Sequence, residues 1–270
     1  MRRNRTLLTL AAGAVAYPFL EARLPRLRRY QLGKNPGQVP AATCEDYLPS
    51  RVINVESTGK NRRADSSSPS ISADNSAWQL RILHLSDLHL WSGSSWLAHW
   101  VASLAEFPDI DLVVLTGDNF ADASGLEMLY RALNPLLKLP GAFVFGSNDY
   151  YSGIPKLPLH YFFPNKKPKL RNVPDLPTEE FRDFLTTGGW RDLNNQVATC
   201  TLTSPARQGR STEKLTVAFS GTDDPHIGRD EPVQVPDTWG KADLRLALTH
   251  APYARVLDQY AACRADLVLA

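Results

Sequence analysis

Short runs of leucine, isoleucine, valine and phenylalanine recur along the chain from residue 80 onward, and most of them end in a polar loop. Arg81–Ser86 (RILHLS), Asp111–Thr116 (DLVVLT) and Gly141–Phe145 (GAFVF) have the length and the β-branched or aromatic content of strands. Leu215–Ser220, Leu244–Thr249 and Asp266–Ala270 repeat the pattern further on. Between the early runs the period changes. In Ser94–Phe107, residues Trp96, Leu97, Trp100, Val101 and Leu104 fall on one helical face, and Leu126–Leu139 and Ala251–Ala262 behave similarly. Strand–helix alternation predicts an α/β domain over residues 80–270. Tyr151–Pro177, rich in proline and lysine, reads as a long surface loop, and there is no internal repeat.

The chain before residue 80 has a different pattern. Thr6–Leu20 is uncharged and mostly apolar, and arginines crowd both of its sides. It is shorter than the ~20 apolar residues of a membrane span. Residues 1–30 therefore fit a signal peptide or anchor, which makes the protein exported or membrane-associated; the alternative is a simple N-terminal helix of a cytoplasmic protein. Pro18 weakens either helix. Residues 31–79, polar and serine-rich from Asn54 to Ser76, are expected to form a linker or insertion.

Composition narrows the chemistry. Hydrophobic residues at 43% and charged residues at 21% are ordinary for a folded soluble domain, and a net charge of +2 provides no global field for nucleic acid. The three cysteines, Cys44, Cys200 and Cys263, include no close pair, which excludes a disulfide framework and a thiolate metal site. Metal chemistry here must use oxygen and imidazole donors.

Those donors sit where the apolar runs end. The first run ends in Ser86-Asp87-Leu88-His89, the second in Thr116-Gly117-Asp118-Asn119, the third in Gly146-Ser147-Asn148-Asp149, and Leu244–Thr249 leads into His250. Open α/β sheets place their ligand crevice at these carboxyl ends. The Asp87-x-His89 spacing lets one loop reach one ion with two side chains. Asp118, on a tight Gly-Asp turn, can bridge two cations with its two oxygens, and Gly117 allows close backbone approach. Carboxylate with neutral imidazole suits zinc, iron or manganese better than magnesium or calcium. Two such ions clamp a phosphate and generate hydroxide from a bound water.

The ordered set D-x-H, G-D, a G-N-H-[D/E]-like loop and a late histidine resembles the calcineurin-like metallophosphoesterases over Leu80–Ala270. The phrases SDLH, TGDN, FGSNDYY, DDPH and THAP resemble a bacterial, partly membrane-associated branch of that superfamily. The resemblance implies a four-layer αββα sandwich with two mixed sheets and a phosphate-ester substrate. It implies two divalent ions, one held by Asp87, His89 and Asp118, the other by Asp118, Asn148 and His250, with Asp118 and Asn148 also counted among the catalytic residues.

Two departures qualify it. The third loop reads Gly146-Ser147-Asn148-Asp149, which leaves Ser147 and Asn148 as alternative ligands; the amide oxygen of Asn148 binds metal better than a neutral hydroxyl. No histidine stands where the family keeps its general acid, so either His226 substitutes for it or the leaving oxygen takes its proton from water. The family's terminal G-H-x-H loop is also absent, which is read as a C-terminal truncation that leaves each ion one imidazole short. The alternative function is therefore a catalytically impaired pseudoenzyme, or a phosphate-binding or interaction domain. A third reading, from the apolar N-terminus, is a membrane-tethered lipid-phosphate hydrolase. Elsewhere Asp223 and Asp224 are expected to shape a turn, His84 to be a core histidine, His99 and His160 to lie on the surface, and Trp96 and Trp100 to pack in the core.

Overall fold

The computed structural model of the 270-residue chain describes residues 27–33, 50–56, 79–107, 109–153, 173–204, 213–232 and 234–270. The apolar run Thr6–Leu20, Cys44, His160 and most of the loop expected at Tyr151–Pro177 lie outside these residues. Among the described residues no helix is long and apolar enough to cross a membrane.

Two sheets face each other. The first has the order β1 (Leu27–Gly33), β2 (Ser50–Glu56), β3 (Gln79–Leu85), β4 (Leu112–Leu115), β5 (Gly141–Phe143) and β6 (Arg191–Asp192). Strands β3 to β6 run parallel, and β2 lies antiparallel to β3. The second has the order β10 (Leu267–Leu269), β9 (Leu244–Leu248), β8 (Glu213–Gly221), β7 (Gln196–Ser204), with β7 antiparallel to β8 and the other pairs parallel. Both sheets are thus mixed.

Side-chain alternation along each strand builds the layers. Leu80, Ile82, Leu112, Val114, Ala142 and Val144 point from the first sheet into one buried cluster, where they meet Leu215, Val217, Phe219, Leu244, Leu246 and Leu248 of the second. The intervening residues Leu83, Leu85, Val113, Leu115 and Phe143 point the other way, against three helices: α1 (Ser95–Ser103), α2 (Leu126–Leu133) and α3 (Thr178–Thr187). On the outer face of the second sheet Ala247 packs with Val256 and Tyr260 of α4 (Ala254–Ala262). The layers run helix, sheet, sheet, helix, the expected αββα sandwich. Burying each of these large side chains contributes roughly 1.5–3 kcal/mol.

Three elements differ from the sequence reading. Strands β1 and β2 lie in stretches assigned to the N-terminal segment (1–30) and to the linker (31–79); the β-branched run Val52-Ile53-Asn54-Val55 pairs with β3, so the expected linker includes one strand of the first sheet. Helix α3 follows the proline-rich stretch, with Phe181 and Leu185 buried one turn apart and Glu179 and Glu180 in its first turn. Trp96 is not in the core: it is 45% exposed, because Ala98 and Val101 occupy the buried stripe of α1 and leave it on the flank. Trp100 does pack against the core from its margin. His84 is buried with Nε2 2.7 Å from the Thr116 hydroxyl, and His99 is exposed, both as expected.

An aromatic wedge joins this core to the strand ends. Phe181 of α3 meets Phe120 edge-on at 5.3 Å and stacks with Phe145 at 5.9 Å, directly under the loops that leave β4 and β5. Phe181→Ala is expected to cost about 3–5 kcal/mol in urea denaturation. Trp96→Ala, a surface change, is expected to stay within about 0.5 kcal/mol.

Candidate metal centre

Three loops leave the carboxyl ends of β3, β4 and β5 side by side. The β3 loop copies the β4 loop through Asp87 N–Gly117 O (2.9 Å), His89 N–Asp118 O (3.1 Å) and Leu90 N–Asn119 O (2.8 Å). The β5 loop joins through Phe120 N–Asn148 O at 3.1 Å. Asp87, His89 and Asp118 all have left-handed backbones, with φ of 53°, 43° and 55°. Such a conformation in a residue with a Cβ costs on the order of 1–3 kcal/mol and clusters at functional sites. Here it turns three donors toward one point, and their ligand atoms lie within 4.8 Å of one another.

Asp118 is the hub. Its Oδ2 lies 3.8 Å from His89 Nε2, and its Oδ1 lies 3.4 Å from His250 Nε2. His250 is oriented by its other nitrogen, 2.8 Å from the Thr116 carbonyl. Burial works against a charge on His250, but the Asp118 carboxylate and that carbonyl outweigh it and raise its pKa. Asn148 donates its backbone N–H to Asp118 Oδ1 (2.8 Å) and its amide nitrogen to Oδ2 (3.0 Å). A half-turn of the amide exchanges nitrogen for oxygen there. Ser147 Oγ is 3.5 Å from Oδ1. Two glycines make the crowding tolerable: a Cβ on Gly117, at φ 95°, would stand 2.3 Å from Gly146 N, and one on Gly146 would stand 2.4 Å from Asp118 Oδ1.

Asp149 plays a part that the sequence reading missed. Fully buried, it accepts from the backbone N–H of Asp118 and Gly146 at 2.8 Å, and from the backbone and side-chain nitrogens of Asn119 at 3.0 Å. Burial pushes its carboxyl up to about 7, with the Gly146 N–H pulling the other way. The only signal in the sequence is an acidic residue next to Asn148, and its partners are visible only in three dimensions.

A fourth wall comes from the second sheet. Asp223 accepts from the Tyr150 hydroxyl at 2.9 Å and from Arg229 Nε at 2.9 Å, and the guanidinium lies 4.0 Å over the Tyr150 ring. Asp224 is buried, and burial pushes its carboxyl up. One oxygen accepts from His226 N at 2.8 Å, the turn expected of this loop, and the other has no hydrogen-bond partner among the described residues. His226 itself is exposed, with Nδ1 3.2 Å from the Tyr253 hydroxyl. Among the described residues no hydrogen bond or ion pair links it to Asp118, Asn148 or His250. The structure thus gathers Asp87, His89, Asp118, Asn148 and His250, and leaves His226 at the rim.

The donor set fits a cation. Asp87 and Asp118 offer carboxylate oxygens within 4.8 Å of each other and of His89. Asp149 and Asp224 lie near enough to Asp118 for their charges to interact. Among the described residues no lysine or arginine side chain pairs with any of these four carboxylates, so imidazoles stand against their charge. Carboxylate and imidazole donors suit a transition-series divalent ion. A site of this kind binds anionic oxygen through the cation and offers polarising power.

A sequence model of the calcineurin-like phosphoesterase family matches residues 80–267. No curated protein matches the chain. Among solved structures, a phosphopantetheinyl hydrolase from Mycobacterium tuberculosis is similar at 14% identity with a TM-score of 0.30, over 68% of this chain and 61% of that one.

Asp149→Ala should leave the N–H groups of Asp118, Asn119 and Gly146 without their acceptor. At roughly 1–3 kcal/mol for each buried group, urea denaturation of the metal-free protein is expected to show a loss of several kcal/mol. A loss below about 1 kcal/mol would refute the anchoring role.

Proposed function

The chain belongs to the calcineurin-like phosphoesterase family, and on that footing we propose that it is a metal-dependent hydrolase of phosphate esters. The observation that carries the dinuclear form of this reading is the placement of Asp118 between two imidazoles. One oxygen faces His89 and the other faces His250. Asp87 and His89 then serve one ion and His250 the other, with Asn148 added to the second set through its amide oxygen and Asp118 shared. The proposed ions are manganese, iron or zinc. When bound, such a pair supplies the positive charge that polarises a phosphate ester and makes water acidic enough to attack it.

The protein's own groups prepare that step. Asp149 and the paired loops hold Asp118 in a fixed position, so little reorganisation accompanies the reaction. The Thr116 carbonyl accepts a hydrogen bond from the Nδ1–H of His250, which keeps the ring proton on Nδ1 and leaves the Nε2 lone pair toward the site. His226 is proposed as the proton donor to the leaving oxygen. In that role the Tyr253 hydroxyl, 3.2 Å from Nδ1, would donate to it and the ring proton would sit on Nε2.

Hydrolysis of an aryl phosphate with added Mn²⁺ tests the reading. Chelation should abolish the rate, and Asp118→Asn should lower it at least about 100-fold; a rate indifferent to both would sink the proposal. His226→Ala should lower the rate with a poor alkoxide leaving group about 100-fold, the scale of general acid catalysis. With a nitrophenolate leaving group, which needs no proton, it should do much less. Equal losses on the two substrates would remove His226 from that role.

A further inference from the structure

Asp223 and Asp224 sit on the loop that follows β8, and their side chains have different fates. Asp223 is fully engaged by Tyr150 and Arg229. Asp224 is 0% exposed, and its turn with His226 N uses one oxygen only, which leaves Oδ2 buried and, among the described residues, without a hydrogen-bond partner. A buried carboxylate oxygen without a donor is costly, and native structures rarely retain one without use. An Asx turn needs a single acceptor oxygen, so the turn explains half of this side chain.

Topology brings Asp224 to the strand end beside the one that carries His250. Strands β8 and β9 are parallel neighbours in register, with Gly221 opposite Leu248. Thr222 N continues the ladder to Leu248 O at 3.1 Å, and the Thr222 and Thr249 hydroxyls are 3.1 Å apart. Asp224 and His250 therefore leave adjacent strand ends within two or three residues of that ladder. His250, Asp118 and His226 are all close enough to act on Asp224 through their charges, and Asp224 acts on His250 in return.

We propose that the buried, unpartnered Oδ2 of Asp224 is a further donor to the cation on the His250 side of Asp118. The inference rests on the metal reading above and adds to it a ligand from the second sheet's turn. It gives that side of the centre an anionic donor of its own, where His250 and Asn148 are both neutral.

The test compares Mn²⁺ binding by the full chain, through equilibrium dialysis and electron paramagnetic resonance, in wild type, Asp224→Asn and Asp87→Asn. Asparagine keeps the turn to His226 N and removes the second anionic oxygen. Asp224→Asn should weaken one Mn²⁺ site about 10–100-fold. Metal-free Asp224→Asn should melt at or above the wild-type temperature, because an unpaired buried charge is gone, and the rise in melting temperature on adding Mn²⁺ should shrink. Should the asparagine variant not fold, Asp224→Ser, which keeps an acceptor for the same N–H, takes its place. If Asp87→Asn loses Mn²⁺ while the Asp224 variant binds it with wild-type affinity and stoichiometry, this inference is overturned and the metal reading stands. If wild type takes up no Mn²⁺, both fall together.

Discussion

The geometry of the site hangs on the hydrogen bonds collected by one carboxylate that never reaches solvent. Asp149 receives N–H groups from two different strand ends, Asp118 and Asn119 after β4 and Gly146 after β5. Without it these groups would face each other across a gap with no carboxylate to accept them, and the backbone of Asp118 would lose one of its ties to the β5 loop. The anchor is itself held by the core. Thr178 at the start of α3 donates to the Asp149 carbonyl, and Phe181, one turn on, wedges between Phe120 and Phe145. Hydrophobic burial is thereby transmitted to a hydrogen-bond network, and the network positions the donors.

Strain at the donors makes sense in that setting. Three residues with side chains hold left-handed backbones within two adjacent loops. An isolated loop would relax them, since each costs on the order of 1–3 kcal/mol. Here every one of the strained peptides lies inside a ladder of loop-to-loop hydrogen bonds that continues the parallel pairing of β3 and β4. The sheet has not ended where its strands end. Its hydrogen bonding continues from loop to loop, and that extension carries the candidate donors Asp87, His89 and Asp118.

Much of this was legible in the sequence because strand ends are. A run such as DLVVLT followed by Gly-Asp declares both a buried strand and a polar residue at its carboxyl end, and four such coincidences marked Asp87 with His89, Asp118, Asn148 and His250 on one edge. Helices with a clear apolar stripe were equally visible. What escaped was whatever depended on a partner distant in sequence. Asp149 and Asp224 look like loop residues until their surroundings are known. Strand β6 spans two residues and carries no period, and β7 alternates threonine with small residues at a sheet edge, where apolar patterning fades. Trp96 misled for the opposite reason: a large aromatic on a helix suggests a core, but a helix packed through Ala98 and Val101 has no need of it.

Tyr150, Asp223 and Arg229 form a brace between the two sheets. Tyr150 belongs to a loop of the first sheet and Asp223 to a loop of the second, so their contact crosses the seam of the sandwich at its catalytic rim. Sliding one sheet over the other, the softest motion available to two stacked sheets, would have to break it. The crevice is thus pinned against shear at its mouth, beside the candidate donors.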